Sequence, residues 1–185
     1  MKKLAMLALV LLLAGCREKS LEPMTASESA DLQAKVYGFQ VYPGARFLEE
    51  QTDLLRRAHF VMQPDAVEAP PMAMYSTTAS LEQVASFYAR KYGYERIAAD
   101  EVNDFSSVKP AAYYTTGDLA ADAMAVEPIL QQLDRRLSHG AFHGEWRGAH
   151  ISARDDLPRV TLQRPFVDMV NDRIVDETLI LMVRE

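Results

Sequence analysis

Cysteine is almost missing from this sequence of 185 residues, since Cys16 is the single one. One cysteine cannot form an intramolecular disulfide, a cysteine zinc cluster or a C-x-x-C redox pair, so these three kinds of site are excluded. Positive charge is also scarce, because 20 lysines and arginines stand against 26 aspartates and glutamates. The resulting net charge of −6 opposes contact with a phosphate backbone, and we therefore expect no nucleic-acid partner.

Well-defined catalytic motifs are missing as well. The sequence contains no G-x-S-x-G, no H-E-x-x-H and no glycine-rich phosphate loop. The stretch Ser106–Lys109 has S-x-x-K spacing, but no K-T-G accompanies it and Pro110 follows at once, so we interpret it as a chance match. Neighbouring acids, Asp155-Asp156 and Glu49-Glu50, would point to opposite faces of a strand and cannot converge on one substrate. We expect no catalytic residue and no cofactor.

What the sequence does contain begins with an export signal. Lys2 and Lys3 precede ten unbroken apolar residues, Leu4 to Leu13. As a helix, ten residues rise about 15 Å, roughly half of a hydrocarbon core of about 30 Å, so this run is too short for a stable span. We interpret residues 1–15 as a signal peptide. An ordinary secretory signal followed by a chance cysteine is the alternative.

The end of this signal, Leu13-Ala14-Gly15-Cys16, resembles the lipobox of bacterial lipoproteins. The resemblance implies that the Cys16 thiol carries a diacylglycerol thioether, that a signal peptidase cuts before Cys16, and that the new amine is acylated. Several acyl chains together give stable anchoring, so the expected partner is a membrane. In the sorting rule of such lipoproteins, Arg17 rather than aspartate favours the outer membrane, and we expect its periplasmic face.

The mature chain divides into a short tether and one domain. Residues 16–35 are rich in serine, glutamate, alanine and lysine, a composition that cannot bury enough surface to fold alone. As a flexible coil this tether would reach about 25 Å. Residues 36–185 form a single predicted domain, long enough to bury roughly 70% of its unfolded surface.

Two helices are readable in the domain. Ser80 and Gln83 form a capping box ahead of apolar residues at helical spacing, and Gly93 ends that helix. A second helix is predicted from about Pro128, with Leu130 and Leu133 on its apolar face.

Strands are predicted at Phe39–Val41, His59–Met62, Met72–Thr77, Tyr94–Ala98, Tyr113–Thr115, His150–Ala153, Val160–Gln163 and Thr178–Val183. The last strand lacks a polar break from Leu179 to Val183, so we expect it at the centre of the sheet with both faces covered. Asn171-Asp172 is predicted to link two arms of a hairpin, the first of which Pro165 makes irregular or places at an edge. Short connections and two helices predict an α+β fold, a mostly antiparallel sheet packed by two principal helices.

Two stretches carry a second resemblance. Tyr42-Pro43-Gly44-Ala45 with a later V-x-x-F-Y helix at Val84–Tyr88, together with the closing strands, resembles uncharacterised bacterial secreted proteins and lipoproteins. This likeness covers about half of the mature chain and implies a fold, with no established chemistry and no catalytic residues.

Three histidines provide the most unusual segment. His139, His143 and His150 lie within twelve residues and could bind zinc or copper if the backbone brought them together. The other interpretation is a glycine-rich loop after a helix, with His139 as a cap charge. Four C-terminal arginines, among them Arg164 and Arg184, could bind an anionic partner, but internal ion pairs fit the acidic composition better.

These observations predict a lipid-anchored envelope protein whose domain binds or scaffolds another molecule without catalysis, with an envelope protein as the possible partner. The alternative is a metal-binding protein or metal-dependent hydrolase that uses His139, His143 and His150.

Overall fold

The computed structural model describes residues 34–35, 37–98, 111–138, 142–152 and 157–184. Within these ranges the chain forms eight strands and three helices, which we number in chain order. They are β1 (Arg46–Phe47), α1 (Glu49–Met62), β2 (Met72–Thr77), α2 (Leu81–Lys91), β3 (Ala112–Asp118), α3 (Leu119–Gln132), β4 (Glu145–Ile151), β5 (Arg159–Arg164), β6 (Phe166–Asp168), β7 (Arg173–Val175) and β8 (Thr178–Val183). The predicted α+β class is confirmed.

Six strands form one antiparallel sheet in the order β1-β2-β8-β5-β4-β3. The strand β8 lies between β2 and β5, with Ile180 opposite Tyr75 on one side and Leu162 on the other. The prediction of a central strand at Thr178–Val183 is therefore confirmed, with the same bounds.

One face of this sheet packs against α2. Leu81, Val84 and Tyr88 of the helix are buried against Ile180 and Met182 of β8. The helix begins and ends as predicted, since Ser80 and Gln83 form both halves of the capping box and Gly93 follows with a φ of +78°. Such a positive φ suits glycine because it has no β-carbon.

The opposite face carries α1 and α3. Leu54 of α1 packs with Leu119, Ala123 and Leu130 of α3 in a second apolar cluster. The strand predicted at His59–Met62 is wrong, because these residues are the last turn of the 14-residue helix α1. Val61 and the aromatic Phe60 favour a strand locally, but these residues continue the helix in which Leu54 packs against α3.

The predicted start of the second helix is also wrong. Helix α3 begins at Leu119, where the Asp118 side chain accepts a hydrogen bond from the Ala121 N–H at 2.9 Å. Pro128 lies inside the helix rather than in its first turn. Its ring is on the exposed side, and Met124, whose carbonyl loses its helical donor, is 67% exposed, so water can satisfy that carbonyl.

Two further predicted strands do not form. Phe39–Val41 is not a strand, although Phe39 is buried in the core beside α2. From Tyr94 to Ala98, only Ala98 pairs with a strand, through a single bridge to Tyr113. The predictions near β2, β3, β4 and β5 each overlap the observed strands, and the one at β2 has the same bounds.

The hairpin predicted around Asn171-Asp172 exists as a small second sheet of β6 and β7. Its connection is four residues long rather than two, and Asp172 adopts the expected left-handed conformation with a φ of 52°. The chain leaves the main sheet at Pro165, between β5 and β6. The strand β5 is interior, so the irregular arm is confirmed and the edge position is wrong.

Candidate functional site

The residues that the sequence analysis weighed as functional candidates are only partly within the described ranges. Cys16, His139, the Ser106–Lys109 stretch and Asp155-Asp156 all lie outside them. The described part of the chain therefore bears on His143, His150, Glu49, Glu50 and some of the arginines.

His143 and His150 are not brought together. His143 is exposed and precedes β4, whereas His150 is half-buried near the end of that strand. The five steps from Glu145 to His150 alone span about 17 Å at ordinary strand geometry. Ring contact with Tyr113 at 5.4 Å and a 3.3 Å approach of its Nδ1 to the Thr161 Oγ1 engage the His150 side chain.

Across the described ranges, no group of three or more histidine, cysteine, aspartate or glutamate side chains is arranged to hold a metal ion. The three-histidine hypothesis includes His139, and it stays a prediction.

The guanidinium group of Arg164 forms an ion pair and hydrogen bonds within the chain. Its Nε lies 3.0 Å from the Asp176 carboxylate, and its Nη1 donates to the carbonyls of Thr78 and Ala79 at 3.2 and 3.1 Å. The expected internal ion pairing is confirmed for this arginine.

A polar cavity of about 640 Å³ lies beside α1. The acidic first turns of the helix, the basic residues that follow them and the segment after α3 surround it. Its charged lining residues are Glu49, Glu50, Asp53, Arg56, Arg57 and Arg135. Cavities that bind small molecules are mostly apolar, and this lining of both charges differs from them.

The wall of this cavity is fixed by the β6–β7 hairpin. Val170, which lines the cavity, accepts a hydrogen bond from the Arg135 Nη1 at 3.4 Å. Asp172 accepts hydrogen bonds from both the backbone N–H and the hydroxyl of Ser138. The hairpin and the segment after α3 therefore hold each other in place.

Asp168 organises the hairpin from within. Its buried carboxylate accepts hydrogen bonds from the Gln51 amide at 2.9 Å, the Val170 N–H at 3.1 Å, and both the backbone and the side chain of Asn171. Arg173 Nε lies 3.5 Å from the same group. Burial raises the pKa of Asp168, but the hydrogen bonds from Asn171 and Gln51 outweigh it and the pKa is lowered.

Sequence reasoning missed Asp168. A local signal for it was present, since Asp168 begins a turn that includes Asn171. Aspartate side chains at that position commonly accept hydrogen bonds from the N–H groups that follow them. The contact with Gln51, which lies 117 residues away in sequence, left no such local signal.

The chain enters the domain at one end of the main sheet, which we call the entry end. Tyr37 Oη accepts a hydrogen bond from Arg56 Nη2 of α1 at 2.9 Å. Gly38 lies against Arg184, since a β-carbon built on Gly38 would be 3.3 Å from Arg184 Nη2. The entry end therefore combines the start of the domain, the second half of α1 and the end of β8.

No family model, curated protein or solved structure matches the chain. No helix in the described ranges has the length and apolar character needed to cross a membrane.

Proposed function

We propose that this chain is a lipid-anchored protein of the cell envelope whose domain binds another envelope protein without catalysis. The observation that carries the anchor is Leu13-Ala14-Gly15-Cys16 directly after a basic start and ten apolar residues. Acylated Cys16 would hold the domain at a membrane, by expectation at the periplasmic face of the outer membrane.

Seventeen residues lie between Cys16 and Ala34, the first described residue. A flexible chain of that length has an average reach of about 25 Å. Such a tether keeps the domain close to the membrane and lets it turn toward a partner.

The charged cavity beside α1 is the surface that supports partner binding. Acidic side chains lie at the start of α1 and basic side chains follow them, so a partner with complementary charges would be selected by its orientation as well as by the sign of its charge. The hairpin contacts of Asp168 and Asp172 hold one wall before any partner arrives, which reduces the entropy lost on binding.

Metabolic labelling with a palmitate analogue tests the anchor. We expect the parent to incorporate the label and Cys16→Ser to lose it completely, because the serine hydroxyl does not replace the thiol as acceptor. An Arg17→Asp variant keeps Cys16, and we expect it to retain the label but move from the outer to the inner membrane fraction. Equal labelling of the parent and Cys16→Ser would refute the anchor.

Photo-crosslinking in cells tests the binding surface. A photoreactive residue at Glu50 lies at the cavity, and one at Met124 is exposed on α3 and does not line it. We expect a defined partner to be captured from Glu50 alone, and the charge reversal Arg135→Glu to abolish that capture. Equal capture from both positions, or capture that survives Arg135→Glu, would argue against the cavity.

A further inference from the structure

We infer that the entry end of the domain docks on the bilayer surface through Phe60, Met62 and Val67, an inference that rests on the proposed lipid anchor. Six large apolar side chains are exposed among the described residues. Three of them fall within eight residues, at 41% for Phe60, 56% for Met62 and 98% for Val67. Phe60 and Met62 lie in the last turn of α1 and Val67 lies in the loop that follows, so all three are exposed at the same end of this helix, and exposed apolar groups of this kind are typical of an interaction surface.

Two contacts place this apolar group beside the start of the domain. Phe60 is one helical turn beyond Arg56, which is bonded to Tyr37. The loop 63–71, which carries Val67, ends at Pro71, whose carbonyl accepts a hydrogen bond from the Arg184 N–H at 2.9 Å. Because Arg184 also lies against Gly38, the C-terminal end of this loop is fixed next to the point where the tether joins.

The direction of α1 keeps the acidic end of the charged cavity, at Glu49 and Glu50, away from such a bilayer. The helix runs along β2, from the contact of Thr52 with the Met74 N–H to that of Arg56 with the Met72 carbonyl. Fourteen residues of helix rise about 20 Å, so its acidic start lies well above its apolar end. The same orientation would bring the apolar group to lipid and present the acidic end of the cavity to a partner, with Arg56 and Arg57 lying between the two.

The short tether determines which surface can meet the membrane first. An acylated Cys16 would hold the entry end at an average distance of about 25 Å from the bilayer and so raise its local concentration there. The net charge of −6 gives no attraction to anionic lipid, and Asp65 and Glu68 flank Val67 in the loop. Docking therefore relies on shallow burial of apolar side chains and is insensitive to salt.

The sequence offers a clean labelling strategy because its single cysteine would be acylated. Val67→Cys then provides the sole free thiol for a nitroxide spin label, and Met124→Cys on α3 is the matched exposed control. The lipidated full chain is reconstituted in phosphatidylcholine vesicles. Collisions of the label with oxygen, which concentrates in lipid, are compared with collisions with a water-soluble nickel chelate.

We expect the Val67 label to lose nickel collisions and gain oxygen collisions on reconstitution, at low and high salt, while the Met124 label changes little. Adding Phe60→Ser and Met62→Ser to the Val67 label should restore its nickel collisions. Mass spectrometry of the N-terminal peptide measures acylation separately. A peptide without acyl chains would overturn the proposed anchor together with the docking. An acylated chain whose Val67 label stays in water, or is shielded only after envelope proteins are added, would overturn the docking alone.

Discussion

Two buried tyrosines of the main core illustrate how one hydroxyl group can stabilise or destabilise the fold. The Tyr88 hydroxyl accepts a hydrogen bond from the Tyr42 N–H at 3.0 Å. The Tyr75 hydroxyl is buried and has no hydrogen-bond partner among the described residues. Burial raises the pKa of Tyr75 to about 12, and it also raises the pKa of Tyr88.

Replacing each tyrosine with phenylalanine should therefore shift stability in opposite directions. Tyr75→Phe removes an unsatisfied polar atom and should raise the free energy of unfolding by roughly 1 kcal/mol. Tyr88→Phe leaves the Tyr42 N–H without its acceptor and should lower it by roughly 1–3 kcal/mol. Urea denaturation of both variants measures the difference, and a loss of stability in Tyr75→Phe would show that its hydroxyl is satisfied.

Asp168 makes the fold sensitive to acid. Because its pKa is lowered in the folded state from an ordinary value of 3.8, its contribution to stability is present above that value and is lost as the pH falls through the folded pKa. Asp168→Asn should lower the thermal midpoint at neutral pH and flatten its decline in acid. Gln51→Ala should weaken the acid dependence partly, since one hydrogen bond is removed. An acid profile unchanged in Asp168→Asn would contradict this assignment.

At the scale of elements, β8 has two different faces. Ile180 and Met182 face α2 and are completely buried, whereas Leu181 lies on the opposite face and is half-buried. We expected both faces of β8 to be covered, and only the face toward α2 is completely buried. Leu179, on the same face as Leu181, packs with Leu48 and Phe166.

A pair of alanine substitutions separates these faces. Ile180→Ala should lower the free energy of unfolding by about 2–5 kcal/mol, through lost transfer energy and a cavity beneath α2. Leu181→Ala removes a side chain of similar size from a half-open face and should cost about half as much or less. Chemical denaturation checks both values. Equal losses would mean that the α1 and α3 side is packed as tightly as the α2 side.

The elements that could be predicted from the sequence are those whose signals are local. The capping box at Ser80 fixes α2, and the apolar run at Leu179–Val183 fixes β8. Helix α1 could not be predicted, because Leu54 gains its partners on α3 more than sixty residues later. Pro128 suggested a helix start, while the first turn is determined by Asp118 and the burial of Leu119.

The candidate site was predictable to a smaller extent. Glu49 and Glu50 were singled out as a paired acid and rejected for catalysis, yet they line the cavity at the start of α1. Arg135 bonds to the hairpin through the Val170 carbonyl, a contact between residues 35 positions apart. Long-range pairing of this kind depends on the fold of the whole domain and leaves no spacing pattern.

At the scale of the whole molecule, β8 joins two parts of the sheet. On one side it pairs with β2, and on the other with β5, which continues to β4 and β3. Shortening the chain after Asp176 removes β8 and leaves the ladders of β2 and β5 unpaired on one edge. We expect this chain to show no cooperative thermal transition by circular dichroism, whereas the parent should show one. A transition near the parent's midpoint would make β8 dispensable.

The position of β8, last in the sequence but central in the sheet, also determines when the main sheet can be completed during folding. Every other strand of the main sheet precedes β8 in the sequence, so the halves ending in β2 and β5 remain separate until residue 183 is available. A chain moving through a narrow translocation channel from its first residue onward would thus stay incompletely folded throughout the passage. For the export proposed above, late completion would keep the polypeptide competent for passage, and it would leave one edge of β2 and of β5 unpaired until the end.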